Sequence, residues 1–386
     1  MDVAVDMPGI RGVLACAKLA VTQLRLSNFR SYASGALALS GAPVVLAGPN
    51  GAGKTNILDA ISLLSPGRGL RGARLSEHVR KGPVVPDAAL WAVAATVTRG
   101  GNEHEIGTGL TLGPNGGEKR HVRLNGVEAK GSADLGDIVQ MIWLTPAMDR
   151  LFIESAGGRR RFLDRLALGF EPGHARTSTR YETAMRERAR LLKYGPRDPA
   201  WLDGLENEMA EAGAAIAQAR IATVERLNRA LGERQGAFPS ASLALTGEAF
   251  DDAQALRDAL AASRLRDAEA GRTLPGPHTA DLCARHTAKR ADARDCSTGE
   301  QKALLISIML ADARELARAR DGLAPLLLLD EIAAHLDRSR RAALFEEIRA
   351  LSAQAWMTGT DLSLFDGWNA HAEIFLVENG QFTRQD

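Results

Sequence analysis

Apolar positions recur along this chain in two textures with a third set between them. Val21–Leu26 (V-T-Q-L-R-L) alternates apolar and polar residues, the period of a strand with one buried face. Val44-Val45-Leu46-Ala47 is unbroken apolar and runs into Gly48-Pro49-Asn50-Gly51, which predicts a short buried strand ending in a turn. Asn56–Leu64 (N-I-L-D-A-I-S-L-L) carries helical spacing, and Gly67 to Gly72 is a glycine-arginine loop. From Ala88 to Trp143, β-rich runs punctuated by Gly and Asn (Trp91–Val97, Glu105–Leu112, His121–Leu124, Val139–Leu144) predict an antiparallel subsheet.

From Gly158 to about Ala270 the chain turns rich in Ala, Arg, Glu and Leu, with helical spacing through Arg180–Lys193 and Trp201–Leu231. Pro196, Pro199 and Pro239 divide that stretch into several helices. At 1.5 Å per residue it is too short for a long coiled-coil arm. Beyond Pro275 the α/β texture returns, with an apolar strand at Pro325–Leu329 and a closing hairpin in Ile374–Thr383. The expected organisation is an N-terminal extension (1–20), a first head lobe (21–157), an inserted helical arm (158–270) and the C-terminal part of the head (271–386).

Composition narrows the class. A chain of 386 residues favours two or three domains, and 45% apolar with 25% charged residues excludes a wholly disordered or fibrous chain. The net charge of +1 excludes a globally basic protein but leaves room for a local basic patch. Cys16, Cys283 and Cys296 are too scattered for a disulfide framework or a zinc site. No apolar run reaches membrane-spanning length, and Asp2, Asp6, Arg11 and Lys18 leave no signal-peptide core in the first twenty residues. Those residues read as an extension, either a disordered tail or an over-long gene start. The expectation is a cytoplasmic protein.

The strongest chemical signal is Gly48-Pro49-Asn50-Gly51-Ala52-Gly53-Lys54-Thr55, a G-x-x-x-x-G-K-[ST] phosphate loop between a predicted strand and a predicted helix. Its glycines let successive N–H groups point at a polyphosphate, Lys54 reaches the β- and γ-phosphates, and the Thr55 hydroxyl can ligate Mg²⁺. Leu326–Leu329 then leads to Asp330-Glu331. A buried strand would hold Asp330 at its carboxyl edge for the Mg²⁺ shell, with Glu331 placed to polarise an attacking water. Taken alone, the pair would be a solvated acidic turn after a core strand. Ser297-Thr298-Gly299-Glu300-Gln301-Lys302 heads an apolar helix, where Ser297 and the Gly299 N–H can meet a γ-phosphate or simply cap the helix. Ala334-His335-Leu336-Asp337 follows the acidic pair, and Thr358-Gly359-Thr360-Asp361 follows a strand-like Ala355–Met357.

Together these segments resemble the RecF family of bacterial recombination-mediator ATPases, related to SMC and Rad50 heads. The resemblance is carried by Leu26–Tyr32, Gly48–Asn56, Gly67–Arg71, Arg159–Asp164, Gly276-Pro277-His278, Ser297–Lys302 and Thr358–Asp361, and extends from about Val21 to the C-terminus. It implies an α/β fold, an ABC-type P-loop ATPase head with a mixed sheet, an antiparallel subsheet and an inserted helical arm. It also implies slow DNA-dependent ATP hydrolysis with Mg²⁺, an ATP-induced homodimer on duplex, gapped or junction DNA, and a place in replication, recombinational repair and the SOS response. RecO and RecR proteins would be its partners in loading recombinase at gaps. Ser297, Gly299 and the D-loop Asp337 would act across the dimer. Asp59 stands where relatives usually have Glu, Thr279-Ala280-Asp281 replaces a more basic stretch, and Gln140 is the candidate for a Q-loop.

For DNA, the candidates are Arg68, Arg71 and Arg74, with Arg186, Arg188, Arg190 and Lys193 of the arm. Two rival readings are the ATPase subunit of a membrane transporter and a P-loop small-molecule kinase. A transporter head would normally carry a switch histidine where Thr358–Asp361 stands, and a kinase would have no use for the Ser297–Gln301 turn.

Overall fold

The structure is a computed structural model describing residues 18–81, 90–112, 117–195, 198–233, 236–248, 250–368 and 371–385. Residues 1–17 of the expected extension lie outside the described residues, while Leu19 and Ala20 are buried and Ala20 already begins the first strand.

The alternating segment becomes β1 (Ala20–Phe29), followed by β2 (Tyr32–Ala38). After β3 (Val44–Ala47) and α1 (Lys54–Ser62) come β4 (Trp91–Arg99), β5 (Asn102–Leu112), β6 (Glu118–Leu124) and β7 (Val127–Glu128). They form a six-stranded antiparallel sheet in the order β2-β1-β4-β5-β6-β7. Period two decides its faces: Leu24 and Leu26 point inward while Gln23, Arg25 and Ser27 stay in solvent.

The chain then makes β8 (Met141–Leu144), α2 (Ala156–Phe170), α3 (His174–Tyr194), α4 (Pro199–Gly232), β9 (Ala241–Thr246) and α5 (Ala253–Ala270). Next are β10 (Asp281–His286), β11 (Ala291–Asp292), α6 (Thr298–Ala319), β12 (Leu326–Leu329) and α7 (Arg338–Ala350). Last are β13 (Ala355–Gly359), β14 (Glu373–Glu378) and β15 (Gln381–Gln385). The second sheet has the order β15-β14-β3-β13-β12-β8, parallel except for the antiparallel edge strand β15. Every residue of β3, β8, β12 and β13 is buried, which is why β3, β8 and β12 read as unbroken apolar runs and β13 does so up to Thr358. Burying each leucine of β12 contributes ~1.5–3 kcal/mol. Val139–Leu144, expected in the antiparallel subsheet, instead supplies β8, parallel to β12.

α1 lies between the two sheets, with Ile57, Leu58 and Ile61 packed among Leu24, Trp91, Val93, Leu46 and Leu328. The opposite face of the parallel sheet is covered by α2, the second half of α4, α6 and α7. The first half of α4 packs with α3 and α5 through Tyr181, Met209, Ile216, Leu256 and Leu260. At ~1.5 Å per residue, the 34 residues of α4 span about 50 Å and tie arm to head as one rod. The stretch expected to be purely helical also contains β9, which pairs with β10 and β11 in a three-stranded sheet; Ala241 and Leu243 are its buried positions.

Buried charges brace the junction. Arg188 is fully buried and donates to Glu206, Asp267, Thr273 and the Leu260 carbonyl. It therefore leaves the set of arm residues that can reach DNA. Arg220 donates to both Asp164 oxygens and to the Pro277 carbonyl. His278 Nε2 lies 3.0 Å from the Thr273 carbonyl, so Nε2 carries the proton and Nδ1 accepts from the Tyr181 hydroxyl at 2.7 Å. Gly276 (φ 137) is required there, because a Cβ would sit 2.2 Å from that hydroxyl oxygen. The Gly-Pro-His turn is structural.

Candidate nucleotide-binding site

The parallel strands β3, β12 and β13 end at one edge, the place where open α/β sheets hold ligands. Residues 48–55 leave the carboxyl end of β3 and enter α1 at Lys54. Gly48 has φ 153, and a Cβ on it would lie 2.2 Å from the Val377 carbonyl oxygen of β14. The loop is fixed from outside: Gly48 N donates to the Gly359 carbonyl, Gly380 N to that of Ala52, and the Tyr32 hydroxyl to that of Gly53. Pro49, Asn50, Gly51 and Ala52 line a hollow closed on its far side by Glu378 and Asn379. Lys54 is buried, and its Nζ donates to the carbonyls of Gly48 (2.6 Å) and Pro49 (2.8 Å). Burial pushes the Lys54 ammonium below its ordinary range, opposed by the charges of Glu331 and Asp330.

Asp330 leaves β12 beside the loop. Its Oδ1 accepts from Thr55 Oγ1 at 3.0 Å and from Thr358 Oγ1 at 2.8 Å. Burial raises the Asp330 carboxyl above the usual range, with those two hydroxyls pulling the other way. A cation here would relieve that burial. Glu331 adopts the left-handed region (φ 50), and its N–H donates to the same Thr358 hydroxyl. Thr358 thus sets the backbone of the acidic pair. Its sequence position gave no sign of this, because the contact exists only once β13 lies beside β12. Among the described residues no group of three or more His, Cys, Asp or Glu side chains could hold a metal alone. That suits Mg²⁺, which takes one or two protein ligands and completes its octahedron with phosphate and water oxygens.

The β1–β2 hairpin presses on the loop from above. Asn56 Nδ2 donates to Ser31 Oγ, and Arg30 donates to the buried Asp59 of α1. Burial raises the Asp59 carboxyl, but the His78 ring, its Nδ1 3.3 Å away, and the charge of Arg30 outweigh it and hold the group below its ordinary value. The shorter Asp in place of Glu therefore has a defined partner. Arg71 donates to Asn56 Oδ1 at 3.2 Å, and its charge is felt at Asp330, so it belongs to the nucleotide side. Arg68 and Arg74 are exposed. Gln140 sits at the opposite end of β8, donating to the Gly136 carbonyl while its own carbonyl accepts from Leu326 N. It is away from the loop and cannot serve as the Q-loop residue.

Ser297 is the N-cap of α6 and forms a capping box with Glu300. Lys289 beside Glu300, helped by the Ser297 N–H, pulls that carboxyl down to about 2. Ser297, Thr298 and Gly299 are exposed, and a Cβ on Gly299 would meet nothing within 4 Å. Among the described residues the phosphate loop's hydrogen-bond partners outside α1 are Tyr32, Gly359, Gly380 and Asp330, none of them from this turn. Asp337 caps α7, accepting from Arg340 N at 2.8 Å. The structure therefore joins Lys54, Thr55, Asp330, Glu331 and Thr358, and leaves Ser297 and Gly299 facing solvent.

A model of the RecF/RecN/SMC N terminal domain matches residues 20–383. "DNA replication and repair protein RecF" of Agrobacterium fabrum is 48% identical over 378 residues, covering 95% of this chain and 99% of that one. The protein of the same name from Rhizobium leguminosarum is 47% identical over 376 residues, with 94% and 98% covered. Among solved structures, the recombination mediator protein RecF with ATP in the RecFOR pathway superposes with a TM-score of 0.79 at 22% identity, covering 95% and 98%. An Smc head domain from Pyrococcus furiosus gives 0.52 at 18%, covering 95% and 96%. With its described strands, phosphate loop and acidic pair arranged as above, and matched along almost its whole length, the chain belongs to the RecF family.

Proposed function

We propose that this chain is an ATP-driven DNA-binding switch of replication, recombinational repair and the SOS response, acting in the cytoplasm. ATP binding would close two copies on DNA, and slow DNA-dependent hydrolysis would release them. The observation that carries this reading is the split of the chemistry: one complete phosphate-and-acid half, and one exposed helix-capping turn with no phosphate of its own. Lys54 and the N–H groups of residues 48–55 hold the polyphosphate. Thr55 and Asp330 would hold Mg²⁺, which when bound neutralises charge on the phosphate oxygens. Glu331, its backbone set by Thr358, takes the proton of the attacking water. Ser297 and Gly299 of a second copy cover the γ-phosphate, so that neither chain has a whole site alone. Asp337, beside the acidic pair in sequence, sits on the same interface.

The replication and repair role of the bacterial RecF relatives supports DNA as the partner, and the RecFOR pathway of the similar RecF structure supports RecO and RecR as co-workers in loading recombinase at gaps. The decisive experiment is binding of the purified chain to duplex, single-stranded, gapped and junction DNA, with ATP and with ADP, over a salt series. ATP-favoured binding with a steep salt slope is expected. Binding indifferent to nucleotide would overturn the switch.

A further inference from the structure

The glycine-arginine loop after α1 is built more firmly than a solvent loop needs. Leu70 N donates to Ser62 Oγ at 2.6 Å, and Arg120 donates to the Gly67 (2.6 Å) and Leu63 (2.7 Å) carbonyls from beneath. This fixes a turn that holds Arg68, Arg71 and Arg74 outward, all exposed. Among the described residues, the guanidinium groups of Arg68 and Arg74 have neither an ion-pair nor a hydrogen-bond partner, the Arg74 carbonyl alone accepting from Glu77 N. Arg71 is turned to Asn56 and the Asp330 charge, which leaves Arg68 and Arg74 as two exposed like charges that a partner of opposite sign would neutralise.

A second surface has the opposite character. Beside the Ser297 turn, a groove is lined by Phe152, Ile153, Glu154, Cys283, Asp292 and Asp295, among others. Its Arg159 is taken up by Asp281 and Arg294 by Asp292. Asp295 is exposed and its carboxylate is, among the described residues, unpaired; the Glu154 carboxylate has only Arg150 beside it, at 3.7 Å, while its backbone carbonyl accepts from Arg159. Ile153, 47% exposed, adds one apolar side chain to the lining.

We infer that in the ATP-bound dimer the Arg68–Arg74 loop of one subunit seats in this groove of the other, Arg68 and Arg74 pairing with Glu154 and Asp295. The inference rests on the dimer reading above. Proximity follows from the chain itself. Asp295 stands two residues before Ser297, and Arg71 is hydrogen-bonded to Asn56, two residues after Lys54. Two residues span at most ~7 Å. If Ser297 covers the partner's phosphate loop, Asp295 of one subunit and Arg71 of the other are brought to the margin of the same loop. Two-fold symmetry makes the contact twice. The loop then serves the dimer, and its expected role on DNA becomes the competing outcome.

The test uses the full chain with Mg²⁺ and a slowly hydrolysed ATP analogue, following dimerisation by analytical ultracentrifugation over a salt series. Arg68→Glu with Arg74→Glu, and separately Glu154→Arg with Asp295→Arg, should each weaken dimerisation by about tenfold or more at low salt. All four changes in one chain should restore it to within about threefold of the parent, because the charges are exchanged rather than lost. Nucleotide affinity of each monomer, read with a fluorescent analogue, should stay at the parent value and shows that the variants are folded. Unchanged dimerisation in either pair, or no recovery in the fourfold variant, overturns the contact. So does an arginine pair that loses only DNA binding. A parent that stays monomeric with the analogue overturns the dimer reading itself, a result distinct from a parent that dimerises alongside indifferent variants.

Discussion

The two halves of the chemistry are held in opposite ways. The phosphate loop is braced from all sides by its own chain, through Tyr32, Val377, Gly380, Gly359 and Asp330. The Ser297 turn is braced from behind, by Glu300 with Lys289 and by Gln301 donating to the Cys296 carbonyl, and its outer face is exposed. A half fixed by its own chain can bind nucleotide as a monomer at little ordering cost. A half fixed only from behind is placed to act on something the chain does not contain. The lesson is that binding and turnover should separate: the first belongs to one chain, the second to two.

The largest expected break is at Glu331. Glu331→Gln keeps the volume and the backbone hydrogen bond to Thr358 but removes the base, so turnover should fall by ~10²–10⁴, while nucleotide binding and the dimer persist. Unchanged phosphate release would exclude Glu331 as the base. Next comes Lys54→Ala, which takes away the cation inside the loop. Losing a charge-assisted contact worth ~1.5–3 kcal/mol should weaken ATP binding by about ten- to a hundredfold, measurable by titration calorimetry. An affinity equal to the parent's would mean that the loop does not hold the phosphates.

How far the two halves were legible follows from how local they are. β3, the phosphate loop, α1 and β12 could be read because each is a short run whose neighbours in sequence are its neighbours in space. Thr358 could not, since its role depends on β13 lying against β12. Gln140 suggested a Q-loop by residue type, yet the parallel direction of β8 puts it at the wrong end of the sheet. Val139–Leu144 looked like its β-rich neighbours although its partner is nearly two hundred residues away. Within the arm, the period-two run at Ala241–Thr246 was hidden by the helical segments around it, and Arg188 looked like a solvated arginine because its two acids come from other helices.

A smaller effect sharpens the division between one chain and two. Ser297→Arg should leave ATP binding near the parent's and abolish dimerisation and turnover. Mixed with Lys54→Ala, it forms hybrid dimers carrying one site with both defects and one with neither. Turnover should return only through the hybrids, one working site in each, so up to half of the parent rate for the fraction of chains that pair this way. Light scattering and phosphate release follow it. No recovery, with both variants folded and exchanging, would count against a shared site.

The smallest effect compares two buried acids, one in each half. Asp330 is 5% exposed and has Thr55 and Thr358 as partners. Asp312, on α6 behind the Ser297 turn, is fully buried, and neither of its oxygens has a hydrogen-bond partner among the described residues. Burial raises both carboxyls, Asp312 far above the ordinary range with Glu315 adding to it. The folded chain therefore keeps a proton on Asp312 that the unfolded chain gives up near pH 3.8, the ordinary Asp value. Stability from this group is complete below the unfolded value and is lost as pH rises from there toward the folded value. Asp312→Asn cannot ionise, so between pH 5 and 8 the variant should gain on the parent by up to ~1.4 kcal/mol per pH unit, levelling once the folded value is passed. Urea denaturation of both proteins across that range reads the difference. Parallel curves would show that Asp312 is paired or hydrated in solution, and that α6 carries no buried proton.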